Sequence, residues 1–202
     1  MVSTLRPRVG VLALQGDVRE HVRMLSALGA EVSPVRRPAE LAAVDGLVLP
    51  GGESSVIDKL ARAFGMQHPV REAIAAGMPV YGTCAGLILL ADRITGAIAG
   101  QETFGGIDAT VARNAFGGQV ESFESDVSIE GADAPLHAAF IRAPIVAEVG
   151  EGARVLGSLP DGRVVAVEQG ALLGTAFHPE VTGETFFHAR FLDRVRERAG
   201  LA

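Results

Sequence analysis

Three continuous apolar runs, each closed by glycine or proline and each followed by a helical pattern, constrain this chain more than any other feature. Arg8-Val-Gly-Val-Leu-Ala-Leu14, Gly46-Leu-Val-Leu-Pro50 and Pro79-Val-Tyr-Gly82 lack the alternation of a half-exposed strand. A run that is apolar on both faces predicts a strand covered on both sides, the usual condition of a parallel sheet. After the first run, Val18, Val22, Leu25 and Leu28 recur at helical spacing, with Asp17 as the predicted N-cap and Gly29 as the stop. A short strand is expected over 31–35. Gly51-Gly52 turns the second run into a helix beginning near Ser54. A helix over roughly 67–76 stops at Gly77, ahead of Pro79, and Ala85 to Ala91 reads as the helix after the third run.

This order predicts an α/β fold, a three-layer sandwich with a mostly parallel central sheet. Roughly 106–113, 119–130, 138–142, 145–149, 154–159, 163–168 and 171–177 read as short strands between Gly, Asp or Pro turns. They predict antiparallel additions at one end, before a last helix over about 183–198. With 202 residues, 48% of them hydrophobic, the whole of 1–202 is expected to form one domain.

The net charge of -6 argues against a nucleic-acid partner, which needs clustered Lys and Arg. The C-terminal Arg190, Arg194, Arg196 and Arg198, interleaved with Asp193 and Glu197, read as a salt-bridged outer helix face. A single cysteine excludes an intramolecular disulfide and a Cys-rich zinc site. No apolar stretch is long enough to span a membrane, and the first is too short for a signal-peptide core, so a cytoplasmic protein is expected.

That one cysteine sits in Gly82-Thr83-Cys84-Ala85-Gly86, between a predicted strand and a predicted helix. This is a nucleophile elbow with Cys in place of Ser. The glycines permit a turn that bulkier residues would block. The helix N-terminus favours a thiolate at Cys84, and the free N–H of Ala85 can donate to an oxyanion. A thiol nucleophile also needs a base. Of five histidines, His21 and His188 fall within helical patterns and read as surface residues, His68 opens a helix, and His137 lies in a turn-like stretch. His178 ends an apolar strand and precedes Pro179, which biases it to an extended conformation. Residues two apart then face the same way, so Glu180 is expected to orient the imidazole in a Cys-His-Glu triad. Pro50-Gly51-Gly52-Glu53 adds a turn whose backbone can approach a ligand closely. Neither a P-loop, nor a dinucleotide fingerprint, nor a zinc motif is present, so no metal or cofactor is expected.

Gly51-Gly52-Glu53, the Cys84 elbow and His178-Pro179-Glu180 occur in an order that resembles the class I, triad-type glutamine amidotransferases. Val11-Leu-Ala-Leu-Gln-Gly16, Arg113-Asn-Ala-Phe-Gly117 and Phe140-Ile-Arg-Ala-Pro144 further resemble the glutaminase subunit of pyridoxal 5'-phosphate synthase. The resemblance runs through essentially the whole chain. It implies that Cys84 attacks the side-chain amide of L-glutamine to give a γ-glutamyl thioester, with His178 moving the proton and Glu180 orienting it. Gly51, Gly52 and Glu53 would line the glutamine site, Gly52 and Ala85 would donate to the oxyanion, and Arg113, Ile141 and Arg142 would help hold the substrate. It also implies a partner, the synthase subunit, which receives ammonia through a protected route and builds the cofactor from a pentose phosphate and a triose phosphate. The Gln15-Gly16 loop resembles a segment near the site and that contact. Ser55, where Thr is common, and Gly118, where Arg is common, depart from the pattern. Two other readings stay open: a glutaminase serving another pathway, such as the histidine-biosynthesis cyclase, and a non-catalytic or redox relative that keeps only the elbow cysteine.

Overall fold

The computed structural model describes residues 6–113 and 122–201. The first half runs β1 (Arg8–Leu12), α1 (Val18–Ala27), β2 (Glu31–Val35), α2 (Pro38–Leu41), β3 (Gly46–Leu49), α3 (Ser54–Ala63), α4 (Gln67–Ala75), β4 (Val80–Thr83), α5 (Ala85–Leu90) and β5 (Ala91–Thr95). The second half runs β6 (Ile107–Ala112), β7 (Ser122–Ile129), β8 (Leu136–Ile141), β9 (Ile145–Val149), β10 (Arg154–Ser158), β11 (Val164–Gln169), β12 (Leu172–Thr175), α6 (Pro179–Thr182) and α7 (Phe186–Ala199).

The sheet is parallel where the apolar runs predict it, in the order β2-β1-β3-β4-β12. Every residue of β3, β4 and β12 is buried. β11, β10, β7 and β8 extend it antiparallel, and β9, β6 and β5 branch from β11.

Alternation along β4 assigns the two covering layers. Tyr81 turns toward α7, stacking near Phe187 and Phe191, and Thr83 turns the same way toward His21 of α1. Gly82 faces the opposite side, where a methyl group would overlap the backbone of Gly86 in α5. Gly86 in turn lies against the Leu49 carbonyl, leaving no room for a side chain. The two elbow glycines are therefore packing requirements: they let α5 sit directly on β3 and β4.

Some expectations are corrected. Ala91 opens β5 instead of closing α5, because Asp92 accepts from Gly106 N–H and Arg93 binds Thr110 across the β5–β6 pair. The strand expected over 171–177 ends at Thr175, and the last helix begins at Phe186 instead of near Gly183, whose φ of 79° stops the short α6 before it. The short α2 has no counterpart among the predicted elements. The start of the strand expected over 119–130, the segment 114–117 and Gly118 lie outside the described residues. Arg190 and Arg194 do not pair along α7 but converge, with Arg154, on Glu168 of β11. Burial pushes that carboxyl up, yet the three guanidinium groups overcome it and hold it at about 2. The Arg196–Asp193 pair is of the expected local kind. No helix among the described residues is long and apolar enough to cross a membrane.

Candidate active site

Four loops meet at the C-terminal ends of adjacent parallel strands, the edge at which open α/β sheets bind their ligands. β4 delivers Cys84 and β12 delivers His178. Thr83 and Thr175 are in register, and Cys84 N–H donates to the Thr175 carbonyl at 2.8 Å. β3 delivers Gly51 and Gly52, and β1 delivers Gln15 to Asp17. Cys84 has φ 48° and ψ -100°, a strained conformation costing on the order of 1–3 kcal/mol that a close-packed elbow sustains. The cysteine is 6% exposed and lies at a pocket of about 320 Å³ that Gly52, Glu53, Arg113, Ile141, Arg142 and His178 also line.

The imidazole of His178 is buried, and its Nδ1 lies 2.8 Å from Oε1 of Glu180. The same ring and Cys84 line one pocket, close enough for the cysteine to act on the imidazole electrostatically. Burial pushes the imidazole toward neutrality, but hydrogen bonds to Cys84 and Glu180, with the charges of both, outweigh it and raise the pKa to about 10. The structure thus brings the elbow cysteine, the histidine and the glutamate together, and it does so by a route other than the extended segment expected. Glu180 does not continue an extended strand. It lies in the first turn of α6, with His178 as the N-cap residue, and the turn of the helix brings the carboxylate back onto Nδ1.

Gly51 lies directly against this ring: a methyl on Gly51 would overlap His178 Cε1. Asp17 sits at the N-cap of α1 but makes no capping bond. Its carboxylate turns instead to His178, with Oδ2 3.5 Å from Nδ1. Asp17, His178 and Glu180 present ligand-type atoms within 4.8 Å of one another, two of them already committed to the 2.8 Å contact.

The Gly-Gly turn is held from both sides. Glu53 N–H donates to Gln15 Oε1 at 2.8 Å, and Asp17 N–H donates to the Gly51 carbonyl at 3.1 Å. Gly52 has φ 155°, and a side chain there would run into Gln15. Glu53 caps α3, accepting from Ser55 N–H and Oγ, so the Ser55 departure keeps the hydroxyl contact. Arg113 donates to Glu53 at 2.7 Å and to Gln101 at 2.6 Å. Its side chain is 9% exposed, so it is a buried member of the pocket wall and not a free strand-end charge. Gln101 completes this wall by donating to Ser54. It carries no motif that sequence reasoning could have used.

Ile141 and Arg142 end β8 and reach the same pocket. The Ile141 carbonyl lies 3.9 Å from the Cys84 sulfur, and His178 N–H donates to the Ala139 carbonyl. Arg142 is exposed and has φ 47°, outside the usual range for a residue with a side chain.

The reading of His21 and His188 is overturned. Both are fully buried. His21 Nδ1 lies 2.9 Å from His188 Nε2, and His21 Nε2 lies 3.1 Å from Thr83 Oγ1 and 3.5 Å from Glu180 Oε1. A signal was available. His21 falls on the stripe of Val18, Leu25 and Leu28, and His188 on that of Phe191, Leu192 and Val195, at spacings of three, four and seven. His68 and His137 are exposed, paired with Glu72 and with Glu124 and Asp126 respectively.

The comparisons with known proteins agree with this geometry. Residues 11–197 match the model of the SNO glutamine amidotransferase family. The chain is 65% identical over 194 residues to the pyridoxal 5'-phosphate synthase subunit PdxT of Leifsonia xyli subsp. xyli, covering 95% of this chain and 98% of that one. It is 58% identical over 203 residues to PdxT of Acidothermus cellulolyticus, covering 98% of each. A crystal structure of a glutamine amidotransferase superposes with a TM-score of 0.86 at 46% identity, covering 93% of this chain and 98% of that one. A structure of PurLQS from Thermotoga maritima shares the fold, with a TM-score of 0.66 at 17% identity, covering 96% of this chain and 97% of that one. This chain belongs to the SNO glutamine amidotransferase family.

Proposed function

We propose that this chain is the glutaminase subunit of a pyridoxal 5'-phosphate synthase. It hydrolyses L-glutamine to L-glutamate and ammonia and passes the ammonia to a synthase subunit. The observation that carries the chemistry is the buried 2.8 Å contact of His178 with Glu180 at a pocket that Cys84 and His178 line together. The relatives named PdxT, 56–65% identical over most of the chain, support the pathway.

In this reading the Cys84 thiolate, paired with the His178 imidazolium, attacks the δ-carbon of the glutamine amide. The oxyanion that forms is met by the N–H groups of Gly52 and Ala85. His178 gives its proton to the departing nitrogen as the C–N bond breaks, so ammonia leaves and a γ-glutamyl thioester remains. Neutral His178 then takes a proton from water, whose oxygen attacks the thioester. The C–S bond breaks, releasing glutamate and restoring the thiolate–imidazolium pair. Glu180 keeps the ring oriented throughout. Gly52, Glu53 and Arg113 form one wall of the substrate pocket, with Gly51 behind them against the His178 ring, and Ile141 and Arg142 form the other. Ammonia is largely protonated at neutral pH and then not nucleophilic, which favours direct transfer to a docked partner over release. The whole chain would act as one domain, in the cytoplasm.

The deciding experiment is glutamine-dependent synthesis of pyridoxal 5'-phosphate in the presence of a synthase subunit. Parent protein should support it and Cys84→Ala should not, while ammonium salts should restore product with either. Glutamine hydrolysis that persists in Cys84→Ala would sink the proposal.

A further inference from the structure

We propose that His21, backed by His188, is a positioning residue that fixes the Glu180 carboxylate against His178 and ties it to the strand carrying Cys84. The inference rests on the triad reading above and adds a residue to it.

His21 occupies a junction. Its Nε2 is within 3.5 Å of Glu180 Oε1 and 3.1 Å of Thr83 Oγ1, the residue before the nucleophile, and its Nδ1 is 2.9 Å from His188 Nε2. One imidazole from α1 thereby touches both segments that build the triad, and a second from α7 holds it there. The groups facing it are Thr83 from β4, Glu180 and His178 from the segment after β12, and His188 from α7. The edge of the Tyr81 ring packs on His188.

Burial sets the protonation state. It lowers His21 well below its ordinary value, helped by repulsion from His188 and His178, and it lowers His188 to about 4. Two neutral rings carry one N–H each, so the 2.9 Å contact can be made in only two ways. If His21 donated from Nδ1, its Nε2 lone pair would face the Glu180 oxygen. His188 would then carry its hydrogen on Nδ1, which is buried and has no partner among the described residues. A buried unpaired donor and a lone pair against a carboxylate are both costly. The reverse assignment avoids both: His188 Nε2–H donates to His21 Nδ1, and His21 Nε2–H is presented to Glu180 and Thr83. Only an unfilled acceptor remains at His188.

The Glu180 carboxylate has few polar neighbours, and His21 is one of them. Its Oε2 is buried with no hydrogen-bond partner among the described residues. Its side-chain contacts fall on Oε1, from His178 at 2.8 Å and His21 at 3.5 Å. Without His21, the carboxylate that must orient the catalytic ring would keep its hydrogen bond with His178 and lose the second polar group that faces it.

The test is glutamine hydrolysis with a synthase subunit present, comparing His21→Leu, which removes both ring nitrogens at similar volume, with His21→Gln, whose amide still donates toward Glu180. His21→Leu should lower kcat by about tenfold or more, with KM for glutamine changed by less than about threefold. Its acid limb of kcat/KM should rise by about half a pH unit or more, because a displaced Glu180 carboxylate supports the thiolate–imidazolium pair less well. His21→Gln should recover to within about threefold of the parent, a rescue that loss of packing alone would not give. A His21→Leu protein with unchanged kcat and acid limb, or a His21→Gln protein as impaired as His21→Leu, overturns the inference. Should His21→Leu not fold, ¹⁵N spectra of the histidine-labelled parent decide: a neutral Nε2–H tautomer at His21 is expected from about pH 6 to about pH 8, and an Nδ1–H tautomer or a protonated ring overturns it. Activity retained in Cys84→Ala would overturn the triad reading and this inference together. Activity lost in Cys84→Ala but kept in His21→Leu overturns this inference alone.

Discussion

Nδ1 of His178 lies 2.8 Å from Oε1 of Glu180, and both side chains are buried. This contact commits Nδ1 to the carboxylate and leaves Nε2 for the sulfur. Glu180→Gln keeps the shape but removes the charge that supports the imidazolium. Turnover of glutamine with a synthase subunit present should fall by about a hundredfold while KM changes little. Steady-state kinetics of the two proteins check this.

The raised pKa of His178 also makes a stability prediction. Its folded value of about 10 lies above the ordinary 6.5, so the folded state binds the extra proton between those limits. The stabilisation is complete below about 6.5 and lost as the pH rises toward 10. The thermal midpoint should therefore decline across that range, and decline less in His178→Gln. Melting curves at a series of alkaline pH values measure it.

On the acid side the sign reverses. His188 is buried and neutral, with a pKa lowered to about 4 by desolvation, so the unfolded chain binds the proton first. Its stabilising effect is full above about 6.5 and is lost as the pH falls toward 4. This one residue should cost about 3 kcal/mol of stability over that interval. Denaturant melts at about pH 7 and about pH 4.5 should show a smaller difference in His188→Phe than in the parent.

Two glycines should separate activity from folding. Gly51→Ala places a methyl on the His178 ring, so it should reduce turnover by about tenfold or more through a displaced imidazole. Gly86→Ala places a methyl on the backbone of Leu49, where nothing flexible can yield. It should destabilise the protein by about 2 kcal/mol or more. Parallel melting and kinetic measurements distinguish the two.

Arg113 is the hinge of the pocket wall, joined to Glu53 and Gln101. Its fork makes two directed bonds that an ammonium group cannot reproduce. Arg113→Lys should raise KM for glutamine by about tenfold and leave kcat within about threefold. A fall in kcat alone would contradict a role in the pocket wall.

What the sequence makes legible follows from which forces are local. The buried parallel strands are legible because an uninterrupted apolar run has few other uses, and Cys84 and His178 because glycines and a proline fix their backbones. Glu180 is the expected partner of His178, but the expected extended segment is a helical turn. A surface reading of His21 and His188 fails because it weighs polarity before position. Each lies in the apolar stripe of its helix, and a side chain there must be buried whatever its type. The link between Arg113, Glu53 and Gln101 joins three separate segments, and no local pattern announces such a meeting.

Cys84 and His178 stand at the ends of β4 and β12, neighbours whose spacing of about 4.8 Å is a property of any sheet. Everything between those two strands is a long excursion that carries Arg113, Ile141 and Arg142 to the pocket rim. The reach from sulfur to imidazole is set by the two strands themselves and not by the length of chain that separates them in sequence. The scaffold thus divides labour: bond breaking belongs to the simplest kind of contact in the fold, two strands side by side, and the choice of what is admitted belongs to side chains brought in from far along the chain.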